Sequence, residues 1–157
     1  MSLWFKGVKE PNGWMGNMAP YPIPYNGQVW LTSEALFQAM RFNDPLIKDV
    51  IRAEKNPFKA KLISKGHKKD YIIEPRKEQD IANMEACVLL KFQQHPKIAR
   101  LLMATGSHHI YEDIGNRNGE RHKFWGAKKL SESEGDGNNM MGKILMDLRE
   151  EYLKEIK

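Results

Sequence analysis

The segment from Ile81 to Phe92 constrains the fold most, because it combines a helical apolar stripe with a lysine that interrupts it. Ile81, Met84 and Val88 recur at the spacing of one face of an α-helix, and Phe92 extends that face. Lys91 lies three residues after Val88 and seven after Met84, near the middle of the stripe. Such a helix must pack its stripe against other elements, so the lysine must lie at a packed surface.

Two interpretations of Lys91 follow from this position. Burial disfavours the charged form of an amine and lowers its pKa. An amine in such a place can act as a nucleophile toward a sugar carbonyl or bind an anion. Alternatively the stem packs while the ammonium group reaches water, which is common for long charged side chains. Helical spacing alone leaves both interpretations open.

The composition is that of an ordinary globular protein, with 157 residues of which 41% are hydrophobic and 29% charged. It predicts one domain over residues 1–157. The lone Cys87 excludes an internal disulfide and suits a reducing compartment. No apolar run has the length of a membrane span and residues 1–6 do not read as a signal peptide, so we expect a cytoplasmic protein that does not enter a membrane.

The five histidines have no paired metal-ligand spacing, so we expect no metal site and no metal or redox cofactor.

Turn and cap residues divide the chain into several helices and a few short strands. Asp44-Pro45 and Asn56-Pro57 each predict a helix start, since Asp and Asn cap helices and proline suits the first turn. The expected helices cover about 32–42, a segment from 44, 56–66, 75–95, 96–104, and a segment from 138 with apolar residues as far as 156. The expected extended segments are 27–30, 109–114 and 123–126. This pattern predicts an α+β fold, a mostly α-helical single compact domain with a few short β-strands.

Three polar residues recur on one face of the helix over about 32–42. Glu34, Gln38 and Arg41 are spaced at i, i+4 and i+7. Such a row could bind a ribose and a phosphate. It is also what a solvated helix face looks like.

A glycine-rich loop, residues 134–142, precedes the last helix and contains Asp136 and Asn139. Its backbone N–H groups suit a phosphate or diphosphate, although a plain capping turn explains the pattern equally well. Trp125, beside Gly126, could stack on a base or lie in the core.

The net charge is +5, and basic residues gather between Lys48 and Lys77. Such a cluster could meet the phosphates of a nucleotide or a nucleic acid, or form a solvated surface.

Many short motifs follow one another along the chain in the order found in a known family. They are Gly16-Asn-Met18, Pro22-Ile23, Gly27-Gln-Val-Trp30, residues 32–42 and 91–96, Leu101-Leu-Met-Ala-Thr-Gly106, Ile110-Tyr-Glu112, Phe124-Trp-Gly126 and residues 137–149. In this order the chain resembles the NADAR superfamily, which includes the YbiA-like proteins, over roughly residues 14–153.

The resemblance implies N-glycoside hydrolysis without a cofactor. Some members cleave phosphoribosylamine intermediates of riboflavin synthesis, and others remove ADP-ribose from guanine bases of DNA. The motif glutamate is Glu34 here, and the lysine implicated as a nucleophile that forms a Schiff base is Lys91. Glu112 could orient or deprotonate that lysine. The candidates for binding ribose, base and phosphates are Asn17, Trp30, Gln38, Arg41, Trp125, Gly126, Asp136 and Asn139.

Two departures from the family pattern bear on the substrate. Arg76 stands where the family often has Trp, and His122 where it has Asp; both missing groups are associated with the riboflavin-intermediate activity. The leading hypothesis is therefore an ADP-ribosyl substrate, with ADP-ribosylated DNA as partner. A phosphoribosyl substrate, a non-catalytic module that binds ADP-ribose or NAD, and a nucleic-acid-binding protein are the alternatives.

Overall fold

A computed structural model of the chain describes residues 1–117 and 119–155. Within these residues the chain forms seven α-helices and six short strands. The strands are β1 (Ser2–Phe5), β2 (Ile23–Tyr25), β3 (Gln28–Trp30), β4 (His109–Glu112), β5 (Lys128–Lys129) and β6 (Gly135–Asp136). The helices are α1 (Ser33–Ala39), α2 (Pro45–Ala53), α3 (Pro57–Gly66), α4 (Glu78–Gln94), α5 (Pro96–Ala104), α6 (Glu120–Trp125) and α7 (Met140–Glu155).

The expected α+β class with a majority of helix is confirmed. No helix within residues 1–117 and 119–155 is both long and apolar enough to cross a membrane. Residue contacts divide the chain into two compact units. We call Asn17–His95 the helical unit, and Met1–Gly16 with Pro96–Lys157 the terminal unit. The single domain expected over residues 1–157 stays a prediction.

The helical unit is built around α1, which packs against α2, α3 and α4. The predicted caps are confirmed: the Asp44 carboxylate accepts the Leu46 N–H at 2.9 Å, and the Asn56 side chain accepts the Phe58 N–H at 2.9 Å. Strands β2 and β3 form an antiparallel hairpin in the same unit. Its turn residues, Asn26 and Gly27, both have positive φ, as tight two-residue hairpin turns require.

The terminal unit pairs β1 with β4 in parallel, and α7 packs against β4. Asn139, which precedes α7, has a φ of 52°. Its side-chain amide donates to the Ile110 carbonyl at 2.8 Å and accepts the Glu112 N–H at 3.0 Å. The amide therefore bonds to β4 as a neighbouring strand would, and it fixes the start of α7 against the sheet.

Two sequence-based expectations about elements are wrong. Residues 123–125 belong to helix α6 and Gly126 caps it, because Gly119 and Gly126 flank a short helix that outweighs the strand preference of Phe124 and Trp125. Helix α4 begins at Glu78 and not at Pro75, because Arg76 has a left-handed φ of 64° that no helix accommodates. Ile156, expected on the last helix, lies outside the described residues.

Gly142→Ala should destabilise the protein by about 2 kcal/mol. An added Cβ in α7 would overlap the Ile110 carbonyl oxygen and the Asn139 amide. Gly66→Ala, at the end of α3, is the matched control, since nothing lies within 4 Å of its added Cβ. Urea unfolding of both variants measures the difference, and equal stabilities would contradict the close packing of α7 on β4.

Candidate active site

One face of α4 carries four buried side chains at helical spacing. Asp80, Met84, Cys87 and Lys91 follow one another at intervals of four, three and four residues, and all are nearly inaccessible to solvent. This spacing places them on a single stripe. The stripe faces the residues that sequence analysis singled out in the helical unit.

Lys91 is buried along its whole length, with 1% of its surface exposed. Burial lowers the pKa of its amine from 10.5 to about 7. The amine nitrogen lies 5.3 Å from the ring centroid of Tyr21 and 5.5 Å from that of Phe92. The snorkelling interpretation is therefore wrong: the head of the side chain is buried together with its stem.

The polar row that starts on α1 and ends at Arg41, two residues after this helix, is also buried. Glu34, Gln38 and Arg41 expose no more than 9% of their surface, so this row is not a solvated helix face. The Gln38 amide donates to a Glu34 carboxylate oxygen at 3.0 Å, and the Arg41 guanidinium donates to the Gln38 carbonyl at 3.4 Å. The row therefore orients the Glu34 carboxylate through Gln38.

Arg41 forms a bidentate ion pair with Asp80 of α4. Its Nε and Nη2 donate to the two carboxylate oxygens at 3.0 and 2.8 Å. The guanidinium carbon also lies 4.9 Å from the Phe37 ring centroid and 5.4 Å from that of Tyr71. Burial alone would lower the pKa of Arg41, but Asp80 and Tyr71 together outweigh burial and the pKa is raised. Nε, Nη1 and Nη2 of Arg41 each donate one hydrogen bond within the protein, so Arg41 positions Gln38, and its contact with a ligand phosphate stays a prediction.

Arg76 is held in its unusual conformation by the same carboxylate. Its backbone N–H donates to an Asp80 oxygen at 2.8 Å, and its φ is 64°. A non-glycine residue in the left-handed region is strained, and such strain persists where surrounding contacts impose it. Asp80 thus fixes both Arg41 and the chain that leads into α4.

Asn17 ties the loop before β2 to both helices of the site. Its Oδ1 accepts the Ser33 hydroxyl at 2.9 Å, its backbone carbonyl accepts the Glu34 N–H at 3.1 Å, and its amide donates to the Met84 sulfur at 3.0 Å. The predicted site residue Asn17 therefore lies between the start of α1 and the α4 stripe.

The Glu34 carboxylate lies near the same stripe. After burial, its negative charge is the largest influence that raises the pKa of the Cys87 thiol. Cys87 precedes Lys91 by one helical turn on the same face of α4. The structure thus joins Glu34, Gln38, Arg41 and Asn17 by hydrogen bonds, and it places Lys91 one turn beyond Cys87 on the α4 stripe of the same unit.

Trp30 ends strand β3 and is 4% exposed. Its indole N–H has no hydrogen-bond partner among the described residues. A buried indole N–H normally has a partner, and the role of Trp30 in binding a ligand stays a prediction.

The other predicted residues lie in the terminal unit. Asp136 is exposed and pairs with Lys123 at 2.7 Å, which lowers the pKa of Asp136. Gly126 has no room for a side chain, because an added Cβ would lie 2.7 Å from the Glu112 carbonyl oxygen. Trp125 is half-buried in edge contact with Phe124. Glu112 is half-buried on β4, and Asn139 bonds to that strand as described above.

Sequence reasoning missed Asp80 and Tyr21. The position of Asp80, 11 residues before Lys91 on the same helical face, was a usable signal. No sequence signal indicated Tyr21, because its approach to Lys91 depends on how the loop before β2 folds. Within residues 1–117 and 119–155, no three His, Cys, Asp or Glu side chains are placed to hold a metal ion.

Comparison with known proteins places these residues in a family. The model of the NADAR domain matches residues 4–153. The N-glycosidase YbiA of Escherichia coli strain K12 is 32% identical over 155 residues, which cover 96% of this chain and 88% of YbiA. An NMR structure of E. coli YbiA aligns with a TM-score of 0.78 at 29% identity, over 99% of this chain and 88% of that one.

Two further relatives differ in their names. The N-glycosidase Npun_R5314 of Nostoc punctiforme is 30% identical, covering 96% of this chain and 92% of its own length. The riboflavin biosynthesis protein VVA0006 of Vibrio vulnificus is 27% identical over 95% of this chain, but only 38% of VVA0006 is covered.

Asp80→Asn should destabilise the protein by roughly 3 kcal/mol, because it leaves the buried Arg41 guanidinium without its charged partner. Asp49→Asn removes an exposed pair with Arg52 at 3.3 Å and should cost less than about 1 kcal/mol. Urea unfolding measures both. Similar losses in the two variants would mean that the Arg41–Asp80 pair does not stabilise the buried site.

Proposed function

The chain belongs to the NADAR domain family, and from this premise we propose that it removes ADP-ribose from a guanine base of nucleic acid. It is a hydrolase of glycosidic bonds, as its relatives named N-glycosidases are. The finer proposal is that cleavage passes through a Schiff base on Lys91, assisted by Glu34.

The observation that carries this proposal is the buried amine of Lys91. An ordinary lysine with a pKa of 10.5 is almost fully protonated at neutral pH and is not a nucleophile. With a pKa of about 7, close to half of the Lys91 amines are neutral near pH 7. Simple binding of ADP-ribose needs no such amine, and this argues against a non-catalytic module.

The proposed chemistry uses both protons of the neutral amine. The Lys91 nitrogen attacks the anomeric carbon, the bond from that carbon to the base nitrogen breaks, and the base leaves with the electron pair and one proton. The ring oxygen then leaves the same carbon with the second proton, which forms the imine. Water adds to the imine carbon and releases free ADP-ribose and the amine, so one water is consumed.

Glu34 has a complementary role in this scheme. Positive charge develops at the anomeric carbon as the bond to nitrogen lengthens, and a carboxylate stabilises that charge. Glu34 can also carry a proton between the amine and the leaving nitrogen. Gln38 and Arg41 hold the carboxylate in place. The role of Glu112 and the ligand contacts of Trp125, Gly126, Asp136 and Asn139 stay predictions.

A phosphoribosylamine intermediate of riboflavin synthesis is the second candidate substrate. It is favoured by the similarity to VVA0006, which is named a riboflavin biosynthesis protein. Arg76 and His122 stand where the residues associated with that activity are expected, so we place the ADP-ribosyl substrate first. A guanidinium at position 76 suits a diphosphate.

Borohydride should trap the intermediate on Lys91. Incubation with an ADP-ribosylated guanine oligonucleotide and borohydride should give a covalent adduct on Lys91, detected by mass spectrometry of the digested protein. Lys91→Met should abolish the adduct and lower kcat at least about 100-fold. Glu34→Gln keeps the shape of the side chain, so it should lower kcat with little change in the stability of the fold.

The same assay with a riboflavin-pathway phosphoribosylamine tests the second substrate. Lys97→Met, at an exposed lysine of α5, is the control and should leave turnover unchanged. Turnover that survives Lys91→Met would rule out the nucleophile and leave a mechanism based on Glu34.

The pH dependence of kcat/KM should follow the Lys91 amine. Its pKa in the folded protein is about 7, so the neutral form increases as pH rises through 7. We expect kcat/KM to rise roughly tenfold between pH 6 and pH 8 and then to level off. A rate that is constant over this range, or that rises only near pH 10, would contradict a buried nucleophilic amine.

A further inference from the structure

The segment from Lys55 to Lys69 has an unusual charge distribution. It holds six of the 25 basic residues of the chain and none of its 20 acidic residues. Without it, the rest of the chain would have one acidic residue more than it has basic ones. The positive net charge of the protein is therefore the charge of this segment, most of which is helix α3.

The outer face of α3 combines these lysines with apolar side chains. Phe58 and Leu62 are one turn apart and expose 55% and 49% of their surface. Lys61 and Lys65 lie beside them on the wheel on one side, and Lys59 lies on the other. None of the six lysines of the segment forms an ion pair with a described residue. We call Phe58, Lys59, Lys61, Leu62 and Lys65 the α3 outer face.

The inner face of α3 packs against the helix that carries Glu34. Ala60 and Ser64 are fully buried, and α3 packs against α1. The Ser64 hydroxyl hydrogen bonds with the Tyr71 hydroxyl at 3.1 Å, and the Tyr71 ring lies against Arg41 of the polar row. The α3 outer face is therefore one helix thickness away from the elements of the candidate active site.

We propose that the α3 outer face binds a single strand of nucleic acid, with the lysines on its phosphates and Phe58 stacked on a base. The proposal rests on the proposed function, in which the scissile bond joins ADP-ribose to a base of nucleic acid. An exposed aromatic side chain between lysines is the arrangement with which proteins hold single strands. A buried Lys91 amine also needs a base that is outside a duplex, because paired bases cannot enter a closed site.

The composition of this face favours nucleic acid over a membrane. The opposite side of α3 is fixed in the protein core, so Phe58 and Leu62 are the largely exposed apolar side chains that α3 itself could place in a lipid surface. Interfacial helices bury a continuous apolar face, which α3 does not offer. Lys59, Lys61 and Lys65, which form no ion pair with a described residue, instead match the regular negative charge of a phosphate backbone.

Fluorescence anisotropy with a labelled, unmodified single-stranded oligonucleotide tests the proposal at several salt concentrations. Changing Lys59, Lys61 and Lys65 together to Gln should lower the affinity at least about tenfold at low salt. The slope of log affinity against log salt should become shallower by about two, since three phosphate contacts are lost. Phe58→Ala should lower the affinity about tenfold through lost stacking.

Matched control variants distinguish an effect of the α3 outer face on affinity from an effect of the net charge of the protein. Lys9, Lys97 and Lys143 are exposed lysines of the terminal unit, and their joint change to Gln removes the same charge. That variant should lose less than about threefold in affinity. Leu130→Ala, at a side chain that is 62% exposed, controls for Phe58→Ala. Equal losses in the two triple variants, or binding of wild type to anionic vesicles but not to the oligonucleotide, would overturn the proposal.

Two substrates distinguish failure of this proposal from failure of the proposed function. ADP-ribosylated guanosine reports the chemistry without a strand, and an ADP-ribosylated oligonucleotide reports both. The Lys59, Lys61 and Lys65 variant should raise KM for the oligonucleotide at least about tenfold and leave turnover of the nucleoside unchanged. Loss of both activities in this variant would contradict a docking role. Absence of turnover of both substrates in wild type would refute the function, while the anisotropy result would still decide the docking face.

Discussion

A bidentate ion pair between Arg41, two residues after the end of α1, and Asp80 of α4 ties together the two helices on which the candidate active site depends. From Arg41 the hydrogen bonds run through Gln38 to the Glu34 carboxylate. From Asp80 the same helical face leads to Lys91. Because the Arg41–Asp80 pair links α1 to α4, the relative rotation of these two helices sets the positions of the Glu34 carboxylate and the Lys91 amine.

Apolar residues of the same volume would be expected to stabilise the fold as well as this polar arrangement does. Buried ion pairs are often no more stabilising than apolar residues of the same volume, and an amine with a lowered pKa marks a site where charge is disfavoured. Helix α1 is buried over all of its residues and still carries Glu34 and Gln38. A sequence selected for packing alone would place apolar residues there. The polar row is therefore best explained by chemistry that needs a fixed carboxylate in the same helical unit as a buried amine.

The sequence alone predicted those features that depend on contacts between residues close together in the chain. The caps at Asp44 and Asn56 use backbone groups two residues away, so their sequence predicts them. The position of Lys91 on its helix was equally readable, but its burial was not, because burial depends on Tyr21 and α1. The same holds for the segment around Trp125, where aromatic composition indicated a strand and flanking glycines decided for a helix.

Helix α3 shows how one short element can separate recognition from chemistry. Small residues, Ala60 and Ser64, let it approach α1 closely, which a larger side chain at either position would prevent. Phe58 and its neighbouring lysines then face solvent because the inner face fixes the rotation of the helix. Charge on the outer face is screened by salt, whereas Lys91 is shielded from water and ions. Higher ionic strength should therefore weaken binding of a nucleic-acid partner to the α3 outer face and leave the pKa of the Lys91 amine almost unchanged. Binding of the partner and reactivity of the amine can therefore vary independently.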